Sequence, residues 1–247
     1  MRTGAFRISL LMCSLLASVT LPAQADRRGL SLSQTRVVFN AEATSATVNL
    51  RNHSNHPWLT RVQVLATPDG AQAAPFMITP PLFRVEPNSQ SAVRILRKGT
   101  EALPTERESV FYLSFLAIPA SRKLGAETSS AVSAQVTVGV DTVIKLFYRP
   151  AGLVLTPQAA TKQLTVHRQD NGVKISNPTP YYQTLATFNL DGKPVAIRET
   201  GSMIAPFGSR FYTSNGQPRQ ATWSVLNDYG GTSPVYQTTV MTGDHPE

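Results

Sequence analysis

Two cations stand inside apolar strand-like segments, where charged side chains are out of place. Arg36 lies in T-R-V-V-F, and Lys145 lies in I-K-L-F-Y. Burying a cation costs several kcal/mol unless a partner compensates for the lost hydration. Each residue could lie on the solvent-exposed face of an edge strand or form an ion pair within the chain. Alternatively, the two cations converge and bind one carboxylate through charge-assisted hydrogen bonds of about 1.5–3 kcal/mol each.

A second group of charged residues adjoins apolar or turn segments in the same way. Its members are Glu108, Arg149 and Asp228. An unpaired charge at these positions would be out of place, unless all three residues are solvated at strand ends.

The sequence offers little for catalysis. His53 and His56 are three residues apart and could hold a metal, but no third ligand is nearby, so solvated loop histidines are favoured. His167 and His245 stand alone, and the single cysteine, Cys13, lies close to the N-terminus. No nucleophile elbow, zinc-protease motif or phosphate loop is present. We therefore predict a protein that is not an enzyme and uses no metal or cofactor.

One alternating stretch, Val132–Pro150, predicts the strand around which the rest of the chain is organised. Up to Val140 its odd-numbered positions are polar or small, whereas the even-numbered positions are apolar: Val132, Ala134, Val136, Val138 and Val140. Successive strand side chains point to opposite faces, so this pattern predicts one apolar and one wet face. The alternation ends near Thr142. We expect an edge strand in the first half and a buried strand in the second.

The N-terminus has the features of a secretion signal. Arg2 and Arg7 precede an apolar run from Ile8 to Leu21, and Ala23-Gln24-Ala25 is a small-x-small cleavage site. The run is shorter than the about 20 apolar residues that a membrane span needs. We predict that residues 1–25 are a cleaved signal peptide, that the protein is exported, and that it does not insert into a membrane.

Charge gives only weak information about partners. Without the two signal arginines, the 23 basic residues fall to 21 against 15 acidic residues, and the net charge falls from +8 to +6. Such an excess could serve solubility or attract an acidic partner. Export, and the lack of basic runs interleaved with aromatics, disfavour nucleic acid as a partner.

The remaining chain, about 222 residues, is long enough for two domains. Short alternating runs recur about every ten residues between Gly, Pro, Asn and Asp, which is typical of antiparallel β-sandwiches. We predict an all-β protein with domains at 26–150 and 151–247. Leu30–Phe39 and Pro234–Met241 are each predicted as one strand, Glu108–Ile118 as a central strand, and Asn171-Gly172 and Asp191-Gly192 as two-residue hairpin turns.

Six motifs in order carry a resemblance to a known family. They are T-R-V-V-F (35–39), T-P-P-L-F-R-V-E-P (79–87), L-P-x-x-R-E-S-V-F-Y (103–112), I-K-L-F-Y-R-P (144–150), N-P-T-P-Y-Y (177–182) and N-D-Y-G-G (227–231). Together they resemble the periplasmic chaperones of the chaperone–usher pilus pathway, the PapD-like family. The resemblance extends over nearly the whole chain after the predicted signal peptide.

The resemblance implies two immunoglobulin-like β-sandwich domains at an angle, like a boomerang, with a cleft between them. By its motif positions it implies that Arg36 and Lys145 grip the C-terminal carboxylate of a pilus subunit. It also implies an inter-domain ion network of Glu108, Arg149 and Asp228.

The family's mechanism would give the alternating strand its role. The resemblance implies that a pilus subunit lacks its last strand and that the chaperone lends a replacement, the mode called donor-strand complementation. Val136, Val138 and Val140 would fill successive subunit pockets, with Ala134 or Val132 as a weaker fourth contact. The chaperone would then deliver the subunit to an outer-membrane usher.

Three questions stay open at this point. The absence of a cysteine after Cys13 favours the short-loop branch of the family, whereas the link from Pro119 to Ser130 is long for that branch. A free edge strand also leaves room for self-association of the unloaded protein. The alternative function is a secreted two-domain adhesin or structural module, which would have no reason to bring Arg36 and Lys145 into one cleft.

Overall fold

The computed structural model describes residues 29–70, 72, 74–99, 102–120 and 138–242. Nearly all regular structure in these ranges is β-strand. The first half contains β1 (Leu30–Leu32), β2 (Arg36–Asn40), β3 (Ala46–Asn52), β4 (Trp58–Leu65), β5 (Phe76–Thr79), β6 (Leu82–Val85), β7 (Gln90–Arg97), β8 (Ser109–Pro119) and β9 (Val140–Arg149).

The second half begins with a single-turn helix and contains a second one. The elements are α1 (Pro157–Ala160), β10 (Thr165–Gln169), β11 (Gly172–Ser176), β12 (Gln183–Leu190), β13 (Lys193–Pro194), α2 (Ile197–Thr200), β14 (Met203–Ile204), β15 (Ser209–Thr213), β16 (Gln220–Val225), β17 (Tyr236–Thr239) and β18 (Met241–Thr242). No helix among the described residues is both long and apolar enough to cross a membrane.

Two sheets built from β1 to β9 pack face to face. One has the order β1-β3-β7-β5, and the other has the order β2-β9-β8-β4-β6. The alternation of β8 shows why they pack, because Phe111, Leu113, Phe115 and Ala117 all point inward and are buried. The first three of them join one hydrophobic core with residues of the facing sheet such as Val93. β8 pairs with both β4 and β9, so the predicted central strand is confirmed.

The strands from β10 onward form a second sandwich with its own core. Its sheets have the orders β15-β11-β10-β18 and β13-β12-β16-β17, with β14 added beside β12. Trp223 is the largest fully buried side chain and packs in this second core with Phe188 and Tyr212. Burial raises the pKa of Tyr212 to about 12. The expectation of an all-β protein with two immunoglobulin-like sandwiches is confirmed.

Two predicted strands are each divided in the structure. Leu30–Phe39 becomes β1, which pairs with β3, and β2, which pairs with β9 in the facing sheet. The reason is a change of parity: Leu30 and Leu32 face the core at even positions, whereas Val37 and Phe39 do so at odd positions. The predicted strand Pro234–Met241 likewise splits into β17 and β18, which belong to different sheets.

The two predicted hairpin turns differ in outcome. Asp191 and Gly192 have φ angles of 48° and 78°, as a primed two-residue turn requires, and Leu190 pairs with Lys193 across it. In the other hairpin Gln169 pairs with Gly172, so the turn residues are Asp170 and Asn171 and not Asn171 and Gly172. Gly172 belongs to β11, where a side chain would collide with the Tyr212 carbonyl of β15.

Candidate functional site

Strand β9 is a central strand at one end and an edge strand at the other. β8 pairs along β9 from Val140 to Tyr148, but β2 begins its parallel pairing only at Lys145. Among the described residues, the second edge of β9 from 140 to 144 therefore has no strand partner. An unpaired row of backbone donors and acceptors is a template on which another strand can add.

The described residues include only some of the apolar positions of the predicted edge strand. Val132, Ala134 and Val136 lie outside the described residues. Val138 and Val140 are 68% and 51% exposed. Val140 lies directly opposite the buried Ala117, so its side chain points to the same face as the core residues of β8. The exposed valines thus continue the core-facing side of the sheet past the end of the sandwich, where they are open to solvent.

The free edge ends at the two cations that the sequence singled out. Arg36 and Lys145 are direct neighbours in the register of β2 and β9. Only 9% of Arg36 is exposed, and its Nη1 donates one hydrogen bond of 3.3 Å to the backbone oxygen of Leu226. Its Nε is buried without a hydrogen-bond partner in the described part of the chain.

Neither cation has a carboxylate partner among the described residues. The guanidinium of Arg36 lies 5.6 Å from the centre of the Phe147 ring, which removes water without neutralising charge. Burial lowers the pKa of Lys145, and the neighbouring Arg36 charge lowers it further. Burial also lowers the pKa of Arg36, although Asp228 and Glu108 act in the opposite direction. We call Arg36 and Lys145 the cation pair.

The other three charged residues from the sequence meet at the junction between the two sandwiches. Arg149 Nε donates to Glu108 Oε1 at 2.8 Å, and the two terminal nitrogens of Arg149 donate to the two oxygens of Asp228 at 2.7 and 2.8 Å. The guanidinium also lies 5.1 Å from the ring centre of Tyr181. We call Glu108, Arg149 and Asp228 the Arg149 cluster.

Every charged group of the Arg149 cluster has an oppositely charged hydrogen-bond partner. Burial alone would lower the pKa of Arg149, but the bonds to Asp228 and the charge of Glu108 outweigh it and raise that pKa. Glu108 is 4% exposed, and burial raises its pKa in spite of Arg149. Glu108 Oε2 accepts from the backbone N of Tyr182, and its own backbone N donates to Pro180. These bonds tie β8 to the N-P-T-P-Y-Y segment of the second sandwich.

A cavity of about 130 Å³ lies where the two sites approach each other. It is lined by residues of both sandwiches, including Arg36, Arg149, Asp228 and Tyr229. The role of Leu226 and Tyr229 in this wall could not be found from composition or spacing. The only available signal was that both lie in or next to the N-D-Y-G-G motif.

The histidines do not form a metal site in the described part of the chain. His53 shares a 2.8 Å hydrogen bond with Ser31, and His56 contacts Asn55 and the ring of Trp58. Within the described residues, no group of three or more His, Cys, Asp or Glu could hold a metal ion. His245 lies outside the described residues.

Comparison with known proteins places the chain in a family. Residues 29–154 match the family model "Pili and flagellar-assembly chaperone, PapD N-terminal domain", and residues 159–237 match "Pili assembly chaperone PapD, C-terminal domain". The chain is 35% identical to the chaperone protein FimB/FhaD of Bordetella pertussis over 243 residues, which cover 94% of this chain and 96% of the relative.

Solved structures agree in both fold and sequence. The structure of the Salmonella enterica SafA pilin in complex with the SafB chaperone matches with a TM-score of 0.75 and 31% identity, over 86% of this chain and 97% of that chain. The E. coli chaperone DraB matches with a TM-score of 0.75 and 36% identity, over the same shares. The chain belongs to the PapD family of pilus-assembly chaperones.

Proposed function

We propose that this protein is a periplasmic chaperone that binds pilus subunits by donor-strand complementation and delivers them to an outer-membrane usher. One observation carries the proposal: the free edge of β9 ends at two partly buried cations that form no ion pair with a carboxylate among the described residues. The free edge can pair with a strand of a partner whose sheet is incomplete. The two cations can bind the C-terminal carboxylate of that partner.

The free edge would supply most of the binding energy by strand addition. Backbone hydrogen bonds would form along residues 140–144, and the apolar face of β9 would enter the subunit groove. Val138 and Val140 are more than half exposed, so they have surface left to bury. Full burial of one valine contributes roughly 1.5 kcal/mol, before the cost of ordering the partner. Val136, with Ala134 or Val132, would extend the contact.

The cation pair would fix the register of the added strand. A carboxylate between Arg36 and Lys145 would fill the unused hydrogen-bonding capacity of Arg36 Nε and compensate two charges that burial disfavours. A slip by one residue would turn every side chain of the added strand to the wrong face. Holding the carboxylate therefore selects the one register in which apolar faces meet.

The Arg149 cluster would keep the site assembled before a subunit arrives. Its bonds join β8 and β9 of the first sandwich to Asp228 and Tyr182 of the second. Leu226, which accepts from Arg36, is two residues from Asp228. A preformed site avoids the ordering cost that a loose junction would add to binding.

Delivery to an usher and periplasmic location belong to the same proposal and rest on the family. The FimB/FhaD relative is named a chaperone protein, and the SafB chaperone was solved with a pilin. The predicted signal peptide supports export, although residues 1–25 lie outside the described residues.

The strand-addition step is tested by two substitutions on opposite faces of β9. The chaperone is exported together with candidate pilus subunits, and the proteins that co-purify are identified by mass spectrometry. Val140→Asp places a charge on the apolar face and should reduce capture of the subunit at least tenfold. Val143→Asp is the matched control, because Val143 lies opposite Ser114 on the other face and is 44% exposed.

The control should capture subunits almost as well as the unchanged chaperone. Equal losses for both variants, or normal capture by Val140→Asp, would contradict the proposed binding face. Thermal unfolding of each free variant establishes that it is folded.

A further inference from the structure

Tyr229 is a large aromatic side chain that the fold itself does not use. It is 91% exposed. Among the described residues, its ring has no aromatic partner and its hydroxyl has no hydrogen bond. Yet it is one of the residues that line the cavity beside Arg36. Exposed tyrosines in clefts are frequent centres of protein interfaces because they bring a large apolar surface at a small entropic cost.

The backbone that carries Tyr229 is held in a defined conformation. Asn227 Oδ1 accepts hydrogen bonds from the backbone N of Tyr229 at 3.0 Å and of Gly231 at 2.9 Å. The backbone N of Asn227 donates to Gly231 at 2.8 Å. Gly230 has a φ of 83°, which favours glycine. The loop therefore presents the tyrosine in one place.

The same loop is held against Arg36 and its neighbour Thr35 by two contacts. Arg36 donates to the backbone oxygen of Leu226, the residue before the loop. Gly230 packs so closely on the Thr35 side chain that a Cβ at position 230 would overlap it. Thr35 immediately precedes Arg36. A chain end bound at Arg36 therefore arrives beside Tyr229.

We propose that Tyr229 is a recognition residue for the C-terminal end of the pilus subunit. Its ring packs against an apolar or aromatic side chain within the last two residues of the chain whose carboxylate binds the cation pair. Two positions are included because side chains alternate along a strand, so only one of the last two can face the loop. This inference rests on the proposed function, and it assigns a sequence preference to the site.

Photo-crosslinking tests the location directly. Tyr229→p-benzoylphenylalanine is introduced into the full-length chaperone, which is exported with the pilus subunit that co-purifies with it. After irradiation, the crosslinked peptide is identified by mass spectrometry. We expect a crosslink to the C-terminal peptide of the subunit. Val154→p-benzoylphenylalanine is the control, since Val154 is 97% exposed and does not line the cavity. A crosslink of residue 229 to another part of the subunit would overturn the proposal.

Substitution tests the preference. The same subunit is made with Phe or Ala at its last or next-to-last position, and the captured ratio of the Phe and Ala forms is measured. The unchanged chaperone should prefer Phe at one of these positions by about fivefold, as expected for an aromatic pair. Tyr229→Phe should keep this preference and Tyr229→Ala should lose it. The same ratio for the unchanged chaperone and Tyr229→Ala would overturn the proposal.

The failure of this proposal can be distinguished from the failure of the proposed function. If Arg36→Ala loses the subunit while Tyr229→Ala keeps both capture and preference, only the role of Tyr229 is wrong. If Arg36→Ala captures the subunit normally, the carboxylate site itself is wrong.

Discussion

Two groups of buried charge lie close together in this protein, and they are built in opposite ways. In the Arg149 cluster, one guanidinium makes three short bonds to two carboxylates. In the cation pair, two positive groups are direct neighbours in the strand register, and the described residues supply only a backbone oxygen to Arg36. The direction of the pKa shifts follows this difference, raised for Arg149 and lowered for Arg36 and Lys145.

The comparison separates charges that pair within the described chain from charges that do not pair with a carboxylate there. A satisfied buried ion network is costly to break but gives a partner little to bind. An unsatisfied pair is unfavourable in the free protein and gains most when an anion arrives. Under the proposed function, similar residue types therefore have opposite roles, depending on whether their partners lie in the same chain.

Breaking the Arg149 cluster should produce the largest effect on stability. Arg149→Ala leaves Glu108 buried without its cation, and removing one partner of a buried ion pair costs about 3–5 kcal/mol. We expect a lower unfolding midpoint and loss of a single cooperative transition, measured by calorimetry. Arg84→Ala is the control, since its ion pair with Glu86 is exposed and worth little. An unchanged midpoint for Arg149→Ala would mean that the cluster does not hold the sandwiches together.

Removing either member of the cation pair should affect binding and leave the fold intact. Arg36→Ala or Lys145→Ala removes a charge-assisted bond to the carboxylate, so affinity for a subunit should fall about ten- to hundredfold. The measurement is capture of the subunit, with thermal unfolding of the free variant alongside. Normal capture with either variant would refute the anchoring role.

Alkaline pH should weaken subunit binding through Lys145. The pKa of Lys145 is lowered in the free protein, and a bound carboxylate would raise it, so binding is linked to uptake of a proton. Affinity should be constant below the free-state pKa and decline as the pH rises through it, before the ordinary value of 10.5 is reached. Lys145→Arg should move this decline to higher pH. An identical pH profile for both proteins would assign the decline to another group.

The smallest expected effect is a gain in stability. The folded-state pKa of Lys145 lies below its unfolded value, so its charge opposes folding at neutral pH. This penalty is complete below the folded-state pKa and is lost as the pH rises from there through the unfolded value. Lys145→Met removes the penalty and should raise the unfolding midpoint of the free chaperone by about 2 °C, provided that the gain is near 1 kcal/mol. A lowered midpoint would show that the lysine stabilises the free protein.

The sequence indicated the charged residues of both sites because a cation in an apolar strand violates a simple rule. Arg36 and Lys145 interrupt the runs T-R-V-V-F and I-K-L-F-Y, and the family resemblance implied the ion network of Glu108, Arg149 and Asp228. In the structure, Arg36 lies beside Lys145, and Arg149 bonds to both Glu108 and Asp228. Their functional roles stay predictions.

The features that sequence reasoning missed are mostly contacts of backbone atoms. The Leu226 oxygen that accepts from Arg36, and the Tyr182 nitrogen that donates to Glu108, leave no mark in residue type. The splitting of Leu30–Phe39 did leave one, since its apolar positions change from even to odd. Gly172 was placed in a turn because the hairpin rule does not register the approach of Tyr212 from another strand.

The parallel pairing of β2 with β9 has a consequence for the direction in which a guest chain must lie. β2 occupies one side of β9 from Lys145 onward and begins at Arg36. A guest lying on the vacant part of that same side is collinear with β2, and its carboxylate meets Arg36 only if its C-terminus abuts the start of β2. The guest strand then runs parallel to β9. Counting back residue by residue from the guest's last residue and from Lys145 gives the pairs that lie side by side. The position of each guest residue along β9 is therefore fixed by its distance in sequence from the guest's C-terminus.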